Sequence, residues 1–384
     1  MKFTIKKSIF ADCLANVQRA ISFRTTIPIL TGIKLQTNEK GLILTGSDST
    51  LSIENLIEEK EESNHLSISE PGSVILPSRF LGDIIRKLPE DKITVAVQDN
   101  FQTIITSGES VFTLNGTSGK NYPQLPEINS AATFNLPGHL MRQAINYTII
   151  SVSSQETRPI FTGIHFELGD NQLKAISTDS HRLSQRIIPI TIPESLKDKE
   201  KVELNIPGRA LSELSRLVND NENISMMVTN NQVLFKMNNT SLYSRLLEGT
   251  YPDTTRLLTK DQKTSIKVNA AELGAAVERA LILSHQGKNN MVKLSMDNSG
   301  VILSGHSSEI GYVKEKINAL GFEGENMSIS FNPDYLREAL KTFGGQDVII
   351  RFTSPSHPFI LLPSEDSDNF NMIQLITPIR TPGN

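Results

Sequence analysis

A single cysteine, Cys13, stands in the 384-residue sequence, so no internal disulfide can form. One thiol suits a reducing cytoplasm, and Cys13 is expected to pack in a core rather than act as a nucleophile. Long apolar runs are also missing. None approaches the roughly 18 residues of a membrane span, and no membrane association is expected. The opening MKFTIKKSIF is basic but lacks the apolar stretch and small-residue cleavage site of a secretory signal. There is no phosphate-cradling glycine loop, no dinucleotide fingerprint and no Gly-x-Ser-x-Gly elbow. The seven histidines (65, 139, 165, 181, 285, 306 and 357) show no paired metal spacing. No metal, cofactor or catalytic residue is therefore expected. Positive charge is scarce too: 38 Lys and Arg against 42 Asp and Glu leave a net charge of −4. Proteins that hold nucleic acid by affinity alone are usually basic, so any such contact here must rest on local charge.

What remains is an ordinary globular composition, 38% hydrophobic and 21% charged, long enough for two to four domains. Its main feature is a repeat. VILPSRFLGDIIRKL (74–88), ELNIPGRALSELSRLV (203–218) and SISFNPDYLREALKTF (328–343) each join an apolar alternation to a helix opener and an apolar helical stripe. The stripes are Phe80, Leu81, Ile84, Ile85 and Leu88; then Leu211, Leu214 and Leu217; then Tyr335, Leu336, Ala339, Leu340 and Phe343. Proline suits a first helical turn, where its missing N–H is no loss. Residues 8–20, 137–147 and 269–281 carry the same period, the last opening with Asn269 and Glu272 in near capping-box spacing. Helices are thus predicted to start near 8, 77, 137, 207, 269 and 333, a period of about 65 residues.

Between them lie strand meanders. GIKLQTNEKGLILTGSDSTLSIEN (32–55) matches GIHFELGDNQLKAISTDSHRLSQR (163–186) and, more loosely, residues 291–316. Residues 92–116 form a further meander. The predicted fold class is α+β, in three similar domains over 1–126, 127–258 and 259–384, each with two helices packed on antiparallel sheets.

Asp179, Ser180 and His181 are the residue types of a hydrolase triad. On a strand, Asp179 and His181 share one face and Ser180 points away, which breaks the nucleophile–base–orienter line. The repeat places SDSTLS (47–52) and HSSEIG (306–311) at the same position, with no shared chemical set. A hydrolase that loses activity on Ser180→Ala is the catalytic alternative, and a peptide-binding module that does not close into a ring is another. The acidic run 54–62 reads as a solvated strand or turn. With histidine neutral, the six helical windows (7–20, 77–88, 137–147, 207–217, 269–281 and 332–342) together carry +4 and the rest of the chain −8. Helices gathered on one side would make a mildly basic surface, which acts locally at about 8 Å screening length.

TDSHRLS (178–184), LPSRFLGDIIRKLP (76–89), LLEGTYPDTTRLL (246–258) and LITPIRT (375–381), with the threefold repeat, make the chain resemble the bacterial DNA sliding clamps, the beta subunits of DNA polymerase III. The resemblance runs the whole length. It implies a homodimer closed head-to-tail into a ring around double-stranded DNA, helices lining the hole. It also implies docking of the replicative polymerase alpha subunit, the clamp loader complex, repair polymerases, ligase and mismatch-repair proteins. Arg24, Gln155 and Arg158 match the family's DNA-contacting loops; Arg79, Arg86, Lys87 and Arg209 are added from the helix charges. Pro159 and Ile160 stand where aromatic residues are frequent.

The peptide groove the resemblance implies comprises Phe161, Thr178, His181, Arg182, Leu183, Pro252, Arg256 and Leu257, with Asn332, Tyr335, Phe359, Thr377, Pro378, Ile379 and Arg380. Ser180 replaces a frequent glycine there, and is strained if the site requires positive φ. Thr377 replaces a usually apolar residue. The dimer joint it implies uses Phe112 and Leu114 against Leu281, Ile282 and Leu283.

Overall fold

The structure is a computed structural model that describes residues 1–125, 128, 132–193, 201–258, 262–285, 290–366 and 371–380. The expected domain boundaries at 126/127 and 258/259 fall on or beside residues outside that set, as does the terminal TPGN.

Six α-helices occur among the described residues: α1 (Lys7–Gln18), α2 (Ser78–Lys87), α3 (Gly138–Thr148), α4 (Gly208–Leu217), α5 (Ala270–Ser284) and α6 (Pro333–Phe343). All six begin within one residue of the predicted starts. Pro333 occupies the first turn of α6, but Pro77, Pro137 and Pro207 are the last residues of strands. There their fixed φ turns the chain out of the sheet and into the helix. Asn269 caps α5, its side chain accepting from the N–H of Ala271 and Glu272 at 3.1 and 3.2 Å. The predicted α2 stripe is corrected at one position: Leu81, Ile85 and Leu88 are buried, whereas Phe80 is 62% exposed.

The strands repeat as the helices do. Three meanders, each of three antiparallel strands, run through Gly32–Asn38, Gly41–Ser47 and Leu51–Glu58; Gly163–Gly169, Gln172–Thr178 and Arg182–Pro189; and Val292–Asp297, Gly300–Ser307 and Gly311–Ile317. The first strand of each pairs with the strand entering the second helix of its repeat: Gly72–Pro77, Val202–Pro207 and Met327–Phe331. The strand before each first helix pairs with the one after each second helix, as Lys2–Lys6 does with Lys92–Val97. The alternation of buried and half-buried residues along these strands is the two-residue period of a sheet with one face on a core.

Contacts divide the chain into two units. The first, mainly Met1–His139 and Glu213–Leu246, holds a five-stranded and a nine-stranded antiparallel sheet. Phe3, Ile5, Phe10, Leu14 and Val17 are among its fully buried residues. The second, mainly Leu140–Ile192 and 247–380, holds a nine-stranded and a four-stranded antiparallel sheet, its main core running from Ile266 to Ile376. Cys13 is half-buried, and burial, with Asp12 beside it, pushes its thiol up to about 12, so it stays protonated and unreactive.

Two sheet edges matter below. The third meander strand of the first repeat pairs with Thr240–Arg245, and that of the second with Met372–Ile376. That of the third, Gly311–Ile317, ends its sheet with no further partner strand among the described residues. So does Ser110–Asn115, the counterpart in the first repeat of Thr240–Arg245 and Met372–Ile376.

Candidate peptide groove and nucleic-acid contacts

Asp179, Ser180 and His181 lie in the turn between the strands Gln172–Thr178 and Arg182–Pro189, which corrects the expectation that they sit on a strand with alternating faces. Asp179 Oδ1 accepts from the N–H of His181 and Arg182 at 2.9 and 3.0 Å, an Asx turn. Its second oxygen pairs with Arg182 Nε at 3.0 Å. Ser180 has φ +79° and takes a 3.4 Å contact from Arg158. The first repeat builds the same turn: Asp48 Oδ1 accepts from Thr50 and Leu51, and Ser49 also has φ +79°. The aspartate shapes a hairpin and is held by Arg182, so it is not orienting a histidine base.

The turn stands beside α6. Arg182 lies 4.6 Å from the centre of the Tyr335 ring, and His181 stacks on that ring at 6.4 Å. Arg182 also pairs with Glu338. Burial works against the Arg182 charge, but Glu338 and Asp179 outweigh it and hold its pKa above the ordinary value. Burial first, then Asp179, raises the Tyr335 phenol, which therefore stays neutral. The C-terminal segment is stitched to this turn and to the strand Met327–Phe331: Thr377 N donates to the His181 carbonyl at 2.9 Å and Ile379 N to the Ser330 carbonyl at 2.7 Å.

Next to this polar cluster is an apolar floor. Ile176, Leu183, Tyr251, Ile360, Leu362, Ile373 and Leu375 form one buried cluster, with Ile160, Phe161 and Leu258 packed on it. Phe161 meets Tyr251 edge-on at 6.0 Å. Tyr251 in turn stacks on His165 at 4.6 Å. Asn205 donates to the Gly249 carbonyl, and its side-chain oxygen lies 2.7 Å from His165 Nδ1. His165 also holds the Glu167 carboxyl below its ordinary pKa, working with Lys174 against partial burial.

The expected groove residues therefore separate by exposure. Leu257 is 48% exposed, and Pro252, Arg256 and Arg380 are exposed. His181 is exposed as well, while Phe161, Arg182, Asn332, Tyr335, Thr377 and Ile379 are half-buried. Thr178, Leu183, Phe359 and Pro378 are buried and support the others from below. Asn332 caps α6 through Asp334. An apolar floor rimmed by fixed charges and an exposed leucine is suited to binding a short apolar segment. Among the described residues no three His, Cys, Asp or Glu gather into a metal site, and no helix is long and apolar enough to cross a membrane.

Three family models match the chain in succession: DNA polymerase III beta subunit N-terminal domain over 1–126, central domain over 135–253 and C-terminal domain over 255–380. The chain belongs to the DNA polymerase III beta-subunit family. It is 42% identical to the beta sliding clamp of Bacillus subtilis, covering 99% of this chain and all of that one, and 43% identical to that of Staphylococcus epidermidis with the same coverage. Its fold is similar to the DNA polymerase sliding clamp structure from Bacillus subtilis, with TM-score 0.94 and 41% identity over all of both chains. It is also similar to the DNA polymerase III beta chain structure from Streptococcus pneumoniae, with TM-score 0.93 and 38% identity over 99% of this chain and all of that one. The three-domain clamp fold expected from the repeat together with the resemblance is thereby established.

Residues expected to meet DNA in such a clamp are at the surface. Arg24, Arg79, Arg86 and Lys87 are exposed in the first unit; Gln155, Arg158 and Arg209 are exposed in the second. Arg86 pairs with Asp83 at 2.5 Å, so a neighbouring carboxylate offsets the positive potential it presents. Of the joint residues, Phe112 is 41% and Ile282 71% exposed, while Leu114 and Leu283 are half-buried. Leu281 packs in the core of its own unit.

Sequence reasoning missed Tyr251, Glu338 and His165 as supports of the groove. A signal existed for the loop before the groove strands. Pro28-Ile-Leu-Thr-Gly32 and Pro159-Ile-Phe-Thr-Gly163 are repeats of each other, and in each the threonine hydroxyl donates to the proline carbonyl, at 2.8 and 2.7 Å.

Proposed function

We propose that the chain is the sliding clamp of its replication machinery: two copies close head-to-tail around duplex DNA and tether the replicative polymerase for processive synthesis. The family is that of a non-catalytic processivity factor, and the chain works without chemistry of its own. What carries the reading is the full-length match to named beta sliding clamps.

The sheet edges support closure. Within one chain, a third meander strand twice pairs with the last hairpin strand of the following repeat. The same rule leaves Gly311–Ile317 without its partner at one end and Ser110–Asn115 at the other. A second copy supplies each with the other, which also covers aggregation-prone edges. The division into domains at 126/127 and 258/259 follows the same repeat. A ring holds DNA by topology, so the net charge of −4 is no obstacle. Neutralising many phosphates would give tight, steeply salt-dependent binding and hinder sliding. Arg24, Arg79, Lys87, Gln155, Arg158 and Arg209 serve as sparse contacts instead.

The groove around Leu257 and Tyr335 takes short apolar peptides from the polymerase alpha subunit, the clamp loader and repair proteins, in the cytoplasm where replication proceeds. Burying one leucine or phenylalanine yields about 1.5–3 kcal/mol, so micromolar binding needs several contacts. The test is titration of a fluorescent peptide from the clamp-binding segment of the organism's own replicative polymerase. Saturable micromolar binding is expected. Leu257→Ala should weaken it about tenfold with unchanged melting. Leu183→Ala, in the floor, should instead lower stability by about 2–5 kcal/mol. Absence of saturable binding contradicts the groove assignment.

A further inference from the structure

We propose that Phe23 and Phe80, flanked by Arg24 and Arg79, form a stacking site for unpaired bases of single-stranded DNA. The proposal rests on the reading of the chain as a DNA-encircling clamp and adds to it a second mode of contact.

Two phenylalanines of the first unit stand in water for no reason the fold supplies. Phe23 is 66% and Phe80 62% exposed. Each adjoins an exposed arginine, Arg24 after Phe23 and Arg79 before Phe80. The two pairs belong to one end of one helix pair. Helix α1 finishes in tightened turns, Ala20 N donating to Val17 and Ile21 N to Gln18 at 3.2 and 3.0 Å. Ala20 and Ile21 are buried, which anchors the chain two residues before Phe23. Gln18 then donates to the carbonyl of Ser78, the first residue of α2, at 2.6 Å. Gly82, one turn on, leaves room for the Gln18 amide: a Cβ there would lie 2.4 Å from it. The end of α1 that leads into Phe23-Arg24 is thereby held against the turn of α2 that carries Arg79-Phe80.

The local charge selects an anion. Asp83 is engaged by Arg86, and Glu213 by Arg19 and Arg216. Neither Arg24 nor Arg79 has an ion-pair partner among the described residues. Arginine alone suffices for duplex phosphates. Phenylalanine gains nothing from a duplex, whose bases are already stacked and face inward. Exposed aromatic rings alternating with unpaired cations are the features that hold single strands, each ring taking one base face and each cation the adjoining phosphate.

The test uses the full-length protein and two short DNAs whose free ends let a closed ring thread. One is a blunt duplex. The other has the same duplex with a single-stranded template overhang carrying 2-aminopurine near the junction. The overhang DNA should bind more tightly than the blunt one, and its fluorescence should fall as the probe stacks. Phe23→Ala with Phe80→Ala should abolish the quenching and weaken overhang binding about tenfold, the scale of one lost base stack, leaving blunt-duplex affinity unchanged. Phe23→Trp with Phe80→Trp should restore both. Equal affinity for the two DNAs without quenching, or a double alanine variant that keeps preference and quenching, overturns the proposal. Retention of the loaded ring on nicked circles should be the same for wild type and variants. Failure of the wild type there would strike the clamp reading itself.

Discussion

Ser180 shows how much one residue can hide. In sequence it completes a catalytic-looking trio. In the structure its φ of +79° makes it the left-handed residue of a hairpin turn, a conformation that costs a side chain about 1–2 kcal/mol. Its hydroxyl recovers little, since the Arg158 contact is long and exposed. Ser180→Gly should therefore raise unfolding stability by about 0.5–1 kcal/mol, and Ser180→Val should lower it, both read by denaturant melts. Loss of stability in Ser180→Gly would mean that the Arg158 contact carries more than its geometry indicates. The turn was legible only in part. Asp-Ser recurs at 48–49 and 179–180, but a two-residue alternation read straight through that pair gives a strand. The aspartate's grip on the next backbone N–H groups is what breaks it.

Elements were easier to read than residues. The helix starts followed from apolar spacing, because burial against a sheet imposes that spacing whatever the function. Phe80 broke the stripe because it fits the period yet faces water. The prolines misled about the first turn because a residue that ends a strand and one that opens a helix differ by a single position. The strand Ser110–Asn115 carries the element-scale prediction. Its residues Val111 and Phe112 are 63% and 41% exposed on an unpaired edge, and Ile310 and Tyr312, at the other unpaired edge, are 59% and 76% exposed. Phe112→Asp should convert a dimer into a folded monomer by light scattering at low concentration, with its melting still cooperative. A wild-type monomer would contradict closure, and a Phe112→Asp dimer of wild-type affinity would place the joint elsewhere. Leu281 was legible as apolar, but period alone did not separate it, buried in the core, from Ile282, one residue on and exposed.

At the scale of the whole molecule, the repeat of helix and meander was visible in sequence because three copies had to solve one packing problem. The groove was not, since Arg182, Tyr335 and Thr377 are brought together by strand pairing across nearly 200 residues, and only resemblance joined them. In the proposed ring, a chain with net charge −4 holds DNA by surrounding it, so retention depends on closure. The direct measurement is the lifetime of the protein on a nicked circular plasmid after loading by the clamp loader with ATP, followed by the same measurement after one cut with a restriction enzyme. Slow loss from the circle and rapid loss from the linear form, with little dependence on salt in the circle, is the predicted result. Equal lifetimes on circular and linear DNA would contradict it.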